Sequence, residues 1–242
     1  MSRIPLIASA LCLASAVASA DPGYYVVTPY DNEGIRMVDF RYWAVKPRDG
    51  TEVLWPEIGL GYGVTSRWTT EVFLSYIGSS EMAMRLSTLN WQNDVLLTQG
   101  ELPFDLALHL LLTSNRIDTD YGAVEFGPVL QTDVGRTQLN FNFFFERNYG
   151  PEAPTATELK YQWQVRHRWI PQLHFGLQGF GELGPWDHWL PRSQQSHRAG
   201  PALFTTLHLS GHDAIKLQAA YLIGKTYGYS GHEFTLRALY EF

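Results

Sequence analysis

The sequence predicts an all-β fold: a transmembrane antiparallel up-and-down β-barrel of about twelve strands, with both termini in the periplasm. Three observations lead to this prediction. Apolar and polar residues alternate with a period of two along most of the chain, which is typical of strands with one apolar and one polar face. The alternating segments are about 10 to 12 residues long, enough to cross a hydrocarbon core at a tilt. Short connections alternate with longer ones, as in membrane barrels with tight periplasmic turns and longer outer loops.

Residues 1–20 are expected to be a secretory signal peptide. Arg3 supplies a positive start, a short apolar run follows, and the A-S-A that ends at Ala20 matches a cleavage site. The apolar run is shorter than the about 20 residues that a membrane helix needs. The only cysteine, Cys12, lies within it, so we expect a mature chain without thiols or disulfides. Export, cleavage after Ala20 and insertion in the bacterial outer membrane are therefore predicted.

Charge and hydropathy exclude one class of function and permit a membrane barrel. The chain carries 18 Lys and Arg against 24 Asp and Glu, a formal net charge of −6. This acidic composition argues against nucleic-acid binding, because proteins that bind nucleic acids usually present a basic face. The mean hydropathy of −0.16 is compatible with a membrane barrel, since about half of each strand faces water.

The mature chain is expected to start with a short irregular segment and to continue as a barrel. Residues 21–34 are rich in Pro, Gly, Asp and Tyr, which disfavours regular structure. We interpret them as a periplasmic tail or as a small plug that folds back into the lumen, and residues 35–242 as the barrel. The predicted strands are 35–45, 57–64, 68–77, 86–97, 104–112, 123–132, 138–146, 158–166, 173–183, 197–209, 215–223 and 232–242.

Each predicted strand shows the two-residue pattern in its own way. The first alternates poorly, so its register is open. The second sets glycines against apolar residues, and the third sets Thr, Glu and Ser against them. Leu and Trp occupy alternate positions in the fourth and fifth strands. In the seventh and eighth strands, Phe, Trp and Tyr occupy one register and Asn, Gln and Glu occupy the other. Tight turns are predicted at 65–67, 98–102, 133–136, 170–171 and 210–213, and the longest loop at 184–196.

The same alternation also fits a soluble sandwich or a lipocalin-like barrel that hides its apolar register in a core. The two interpretations are inversions of each other, since a soluble protein would show its polar register to water. A single soluble barrel of about twelve strands would have too little interior for so many apolar side chains. The even strand count and the Trp and Tyr residues near strand ends favour the membrane.

The last strand, His232 to Phe242, shows the clearest alternation and ends on an aromatic residue. It resembles the terminal strand of bacterial outer-membrane barrels, which their assembly machinery recognises. The residues assigned to this assembly signal are Phe234, Leu236, Tyr240 and Phe242. The resemblance implies that the barrel-assembly machinery is a partner of the chain.

The order of several short motifs between residues 57 and 242 resembles a family of proteobacterial outer-membrane barrels. They are W-Q-N at 91–93 with L-T at 97–98, Glu125 with D-V-G-R at 133–136, Y-Q-W-Q at 161–164 with Arg166, G-E-L at 181–183, Q-Q at 194–195 with His197 and G-P at 200–201, Y-L-I-G at 221–224 and Y-E-F at 240–242. This family is often associated with the meta-pathway of phenol degradation. The resemblance implies fold and location, and transport of small organic solutes, aromatic ones among them.

The polar register supplies the candidate functional residues, because it would line the lumen of a membrane barrel. The lumen-lining candidates are Glu57, Glu71, Asp105, His109, Glu125, Asn140, Asn142, Glu146, Lys160, Gln162, Gln164, Arg166, Glu182, Arg198, Lys216, Gln218, Glu233 and Arg237. Acids outnumber bases, and carboxylate rings favour cations in pores. We therefore expect a narrow passive channel with weak cation selectivity for small solutes.

Other residues are candidates for chemistry or for specific contacts. His109 is expected to bond within the lumen near Asp105. Ser196 and His197 are adjacent and would point to opposite faces of a strand, which argues against a catalytic dyad. The glycines at 59, 61 and 63 either relieve crowding at the wall or admit a solute. Three aromatic residues in outer loops either stack on solutes or anchor at the lipid interface: Tyr149, Trp186 and Trp189.

The alternatives to a channel are a structural or surface-interaction barrel without a pore and a lipid-modifying outer-membrane enzyme. No catalytic residue, metal site or cofactor is expected, because no histidine cluster has the spacing of a zinc site. The expected partners are outer-membrane lipids and lipopolysaccharide, the assembly machinery and a small-molecule solute, with no nucleic acid among them.

Overall fold

The computed structural model describes residues 25–29, 33–117, 121–151, 153–209, 211, 213–226 and 229–242. The predicted signal peptide lies outside these residues, as does much of the segment 21–34. The strands are β1 (Arg36–Pro47), β2 (Val53–Thr65), β3 (Trp68–Ser79), β4 (Arg85–Leu96), β5 (Asp105–Asn115), β6 (Gly122–Val134), β7 (Thr137–Tyr149), β8 (Thr157–Ile170), β9 (Leu173–Pro185), β10 (Ser196–His208), β11 (Ala214–Thr226) and β12 (Tyr229–Glu241).

The strands form one closed barrel in which each strand pairs antiparallel with its sequence neighbours and β1 pairs with β12. At the closure, Met37 lies opposite Glu241 and Pro47 opposite Gly231. The backbones of Arg36 and Phe242 exchange two hydrogen bonds, each of 3.0 Å. Closure leaves no free sheet edge, so every strand finds backbone partners on both sides. The prediction of a twelve-strand antiparallel up-and-down barrel is confirmed.

The barrel buries its polar register and exposes its apolar one. Glu125 and Asn142 are fully buried inside, whereas Leu60 and Ile223 on the outside are 67% and 58% exposed. Exposing large aliphatic side chains along every strand would be unfavourable in water and is typical of a wall that faces lipid. The structure thus decides between the two inverted interpretations in favour of the membrane barrel. Within the described residues, no helix has the length and apolar character needed to cross a membrane.

The connections define two ends of the barrel. The end at which β1 begins and β12 finishes is called the terminal end, and the opposite one the loop end. Two-residue turns join β2 to β3, β6 to β7 and β8 to β9 at the terminal end. The β4–β5 connection there spans residues 97–104 and is longer than the predicted turn at 98–102. Within it, the backbone N–H groups of Leu97 and Thr98 donate to the Leu106 carbonyl. The longest connection, 186–195, lies at the loop end.

Candidate functional site

The predicted lumen-lining residues all lie in the register that points into the barrel. Those that are buried are Glu57, Glu71, His109, Glu125, Asn140, Asn142, Glu146, Lys160, Gln162, Gln164, Arg198 and Glu233. Those that are half-buried are Asp105, Arg166, Glu182, Lys216, Gln218 and Arg237. The lumen is therefore the candidate functional site. Its wall carries buried polar and charged side chains beside clusters of buried apolar ones.

Residues 25–29, called the lumen segment, lie inside the barrel and do not belong to its wall. Tyr25, Val26 and Val27 are 3%, 1% and 3% exposed. The Val27 N–H donates to Gln162 Oε1 at 3.1 Å, and Asn142 Nδ2 donates to the Val27 carbonyl at 2.9 Å. Two residues predicted to line the lumen thus hold the backbone of this segment.

Tyr25 anchors the lumen segment between two guanidinium groups. The Cζ atoms of Arg41 and Arg237 lie 4.3 Å and 4.0 Å from the centre of its ring. The Tyr25 hydroxyl accepts hydrogen bonds from Arg41 Nη2 at 2.9 Å and from Gln92 Nε2 at 3.0 Å. Cation–π contacts strengthen when they are desolvated, and this ring is almost completely enclosed. The aromatic ring therefore makes the strongest set of contacts described for the segment.

An ion network from β1, β2 and β12 supports this clamp. Asp39, which is fully buried, accepts from Arg41 Nε and Arg237 Nη2 at 2.9 Å each. Arg41 also forms an ion pair with Glu57 at 3.2 Å. Its guanidinium lies 3.7 Å from the centre of the Phe73 ring. The sequence prediction missed Asp39 and Arg41, because the poor alternation of β1 left its inward face undefined.

Two further charge clusters lie in the lumen wall. Lys160 pairs with Glu125 at 3.2 Å and with Glu146 at 2.6 Å. Arg198 pairs with Glu182 at 2.6 Å and with Glu233 at 2.7 Å. Buried charges need such partners, since an isolated one is costly in a confined space. Each cluster joins at least three strands and stiffens that side of the wall.

His109 is a bonded histidine in the wall, but its partner differs from the predicted one. Its Nδ1 lies 2.6 Å from Asp94 Oδ1 on the neighbouring strand, and its ring packs 4.7 Å from that of Phe144. The predicted neighbour Asp105 lies four residues away on the same strand, too far along an extended chain for contact. Strand pairing, which places Asp94 opposite His109, decides the partner.

The glycines of β2 make room for side chains of the wall. A Cβ at Gly59 would collide with the Phe73 ring, and one at Gly61 would collide with Glu71 Cγ. Phe73 is fully buried and fills this space. Relief of crowding therefore explains both glycines. The alternative hypothesis, that a solute approaches them, is wrong because the Phe73 and Glu71 side chains occupy the space.

The adjacent residues Ser196 and His197 lie on opposite faces of β10. Ser196 is 3% exposed and faces inward, whereas the adjacent His197 faces outward and bonds through Nδ1 to the Tyr161 hydroxyl at 2.8 Å. They do not form a dyad. Over the part of the chain that the structure describes, no three His, Cys, Asp or Glu residues are placed to hold a metal ion.

The remaining predicted residues lie on the outside or at the loop end. The four residues of the predicted assembly signal belong to the outward register of β12 and its end: Phe234, Leu236, Tyr240 and Phe242. Their recognition by assembly machinery stays a prediction. Trp186 and Trp189 are 56% and 59% exposed in the longest loop, and Tyr149 donates through its hydroxyl to the Thr113 carbonyl at 3.2 Å.

No protein-family model and no curated protein matches the sequence. The structure is similar to an outer membrane channel from Pseudomonas putida F1, with a TM-score of 0.62 and 12% identity over 93% of this chain and 100% of that one. It is also similar to the NanC porin, with a TM-score of 0.55 and 10% identity over 85% and 98% of the two chains. A third similar structure is the translocator domain of the autotransporter NalP from Neisseria meningitidis, with a TM-score of 0.50 and 10% identity over 88% of this chain and 90% of that one. The chain thus has the fold of the bacterial outer-membrane β-barrels.

Proposed function

We propose that the protein is an outer-membrane channel for small solutes, oriented with its terminal end toward the periplasm, and that the lumen segment restricts passage through it. One observation carries the proposal: a closed barrel of twelve strands, with charged and polar side chains in its lumen, holds a piece of its own chain there. An eight-strand barrel can fill its interior with side chains, whereas a wider one leaves space. In this barrel the lumen segment occupies part of that space.

The attachment of the segment suits a part that moves. It makes no strand pairing with the wall, and its described backbone bonds go to the side chains of Gln162 and Asn142. Its release would leave every strand pair intact. A closed barrel with a removable inner segment has two distinct states, which is what gating of a channel requires.

Two barrels of the same fold are described as a channel and a porin, which supports a transport role. The family resemblance favours small polar or aromatic organic solutes. Among the described residues, the inner wall also carries more carboxylates than cations, and this composition favours cations in a pore. Weak cation selectivity of the released barrel is therefore part of the proposal.

The test compares the conductance of the full chain with that of a variant lacking residues 25–32 in planar lipid bilayers. We expect the full chain to conduct weakly and the variant to show larger and more frequent openings. A shift in gel mobility between unboiled and boiled samples, equal for both proteins, serves as the control for folding. Recovery of the native protein in the soluble periplasmic fraction would contradict its location in the outer membrane.

Absence of conductance in a folded variant would favour a structural barrel without a pore. Release of fatty acid from outer-membrane lipid by the purified protein would favour the enzyme alternative. Both outcomes would overturn the proposed channel, and the two measurements distinguish them from each other.

A further inference from the structure

A cavity of about 160 Å³ lies beside the lumen segment, on the side of the terminal end. Val26 and Thr28 of the segment form one of its walls. Its other walls come from β8, β10, β11 and β12, from residues in the half of each strand nearer the terminal end. In the proposed orientation, a solute held here would already have passed the segment and would face the periplasm.

Among the described residues, the lining of the cavity includes three cations and no carboxylate. Arg166, Lys216 and Arg237 contribute to its walls. Arg237 is paired with Asp39, and Lys216 Nζ with Glu241 at 2.5 Å. Arg166 differs from them, since its Nε donates to His174 Nδ1 at 2.9 Å and no carboxylate among the described residues pairs with it. The positive charge of Arg166 therefore makes this cavity attractive to an anion.

A second observation points to a missing partner in the same place. Gln164 lines the cavity, is 2% exposed, and its Oε1 has no hydrogen-bond partner among the described residues. Buried amides are normally bonded, because an unmade hydrogen bond is costly. A side-chain amide carries both an acceptor oxygen and a donor NH2 group, so Gln164 can either accept a hydrogen bond from a ligand or donate one to it.

The cavity also has an apolar part, which lies beside the polar residues Thr28, Thr205, Thr206 and Gln218, and its walls limit the size of the ligand. Phe204, Leu239 and Val26 are 3%, 4% and 1% exposed and contribute to the cavity wall. The volume is close to the about 150 Å³ of an apolar cavity that holds benzene. A flat ring on Phe204 would leave its substituent near the Arg166 guanidinium, whose Cζ lies 5.0 Å from the centre of the Phe204 ring.

We infer that this cavity is a binding site for a small organic carboxylate with an apolar body of about one ring. Arg166 binds the carboxylate, Gln164 bonds to it or to a polar substituent, and Phe204 and Leu239 contact the body. Guanidinium groups bind carboxylates with charge-assisted and often bidentate bonds. The inference rests on the proposed channel function, in which the site holds the solute on the periplasmic side of the lumen segment.

The test is calorimetric titration of the full mature chain in detergent with benzoate, in parallel with benzyl alcohol and acetate. Benzyl alcohol keeps the ring without the charge, and acetate keeps the charge without the ring. We expect benzoate to bind at least about tenfold more tightly than either. We also expect its affinity to fall as the salt concentration rises.

Two variants locate the site. R166Q removes the cation and should weaken benzoate binding about tenfold while leaving that of benzyl alcohol nearly unchanged. R192Q removes an arginine from the longest loop and should change neither the affinity for benzoate nor that for benzyl alcohol. Equal gel mobility of unboiled wild type and R166Q checks the fold, and the salt dependence in the wild type tests the charge without any substitution.

Benzoate binding that is absent, insensitive to salt or unchanged in R166Q would overturn the inference. If a barrel without residues 25–32 still conducts ions, the proposed channel stands and only the site is wrong. Conversely, salt-sensitive benzoate binding that R166Q weakens, in a barrel that never conducts, would support the site and contradict the channel.

Discussion

Replacement of Tyr25 by alanine is expected to release the lumen segment. The ring lies 4.3 Å and 4.0 Å from the guanidinium carbons of Arg41 and Arg237, and each contact contributes about 0.5–2 kcal/mol. Burial of the aromatic ring adds about 1.5–3 kcal/mol. The loss in Y25A should therefore reach about 3 kcal/mol or more, which corresponds to about a hundredfold or greater rise in the undocked fraction of the segment.

The matched control is Y25F, which retains the ring and removes only the hydroxyl. That hydroxyl accepts from Arg41 and Gln92, so its loss should cost about 1–3 kcal/mol. The two cation–π contacts persist in Y25F. Its undocked fraction should accordingly lie between those of the wild type and Y25A.

The assay is single-channel recording in planar bilayers, with the open probability measured for wild type, Y25F and Y25A. We expect the open probability to rise in that order, while the conductance of the open state stays nearly constant because the wall is unchanged. Equal open probability in all three proteins would refute the reasoning. An equal effect in Y25F and Y25A would show that the hydroxyl, and not the ring, holds the segment.

Three further predictions follow from the wall of the lumen. D39N should lower the free energy of unfolding by about 3–5 kcal/mol, because the substitution leaves two buried guanidinium groups without their shared carboxylate. Urea titration followed by gel mobility measures this free energy, and D49N in the exposed β1–β2 loop is the control that should change it little. G59A should cost about 1–3 kcal/mol in the same assay, since its Cβ would collide with Phe73, whereas G50A in a loop should be tolerated. The barrel without residues 25–32 should show a cation-selective reversal potential in a salt gradient that weakens as salt increases; anion selectivity would contradict it.

The alternation of residue types predicted most of the fold. The Phe141 and Phe143 positions against Asn140 and Asn142 define two faces whatever the tertiary structure, because neighbours on a strand point to opposite sides. The pattern repeats over twelve segments, and closed barrels with even strand numbers satisfy it. Inner and outer registers could be assigned for eleven strands in this way. Strand β1 was the exception, since Trp43 and Val45 face inward beside Asp39 and Arg41.

The alternation alone did not decide which face is inside. An apolar register packs equally well against a soluble core or against lipid, so the pattern is symmetric with respect to inversion. The fully buried Asn142 and Gln178, set against the exposed Leu203 and Tyr221, show the polar side enclosed. That result depends on the size of the closed barrel, whose interior cannot hold the whole apolar register.

Specific partners in the lumen were decided by the tertiary structure only. Asp39 and Arg237 are 198 positions apart, and they meet because β1 pairs with β12 when the barrel closes. The Val27 N–H bonds to Gln162, which is 135 positions away, and no sequence pattern around Val27 predicts this contact. Local alternation depends on the geometry of a single strand, and it can therefore be predicted directly from the sequence. Contacts across the lumen depend on register and closure summed over all the strands, so the composition of residues 21–34 predicted an irregular segment and did not reveal the partners of Tyr25 and Val27.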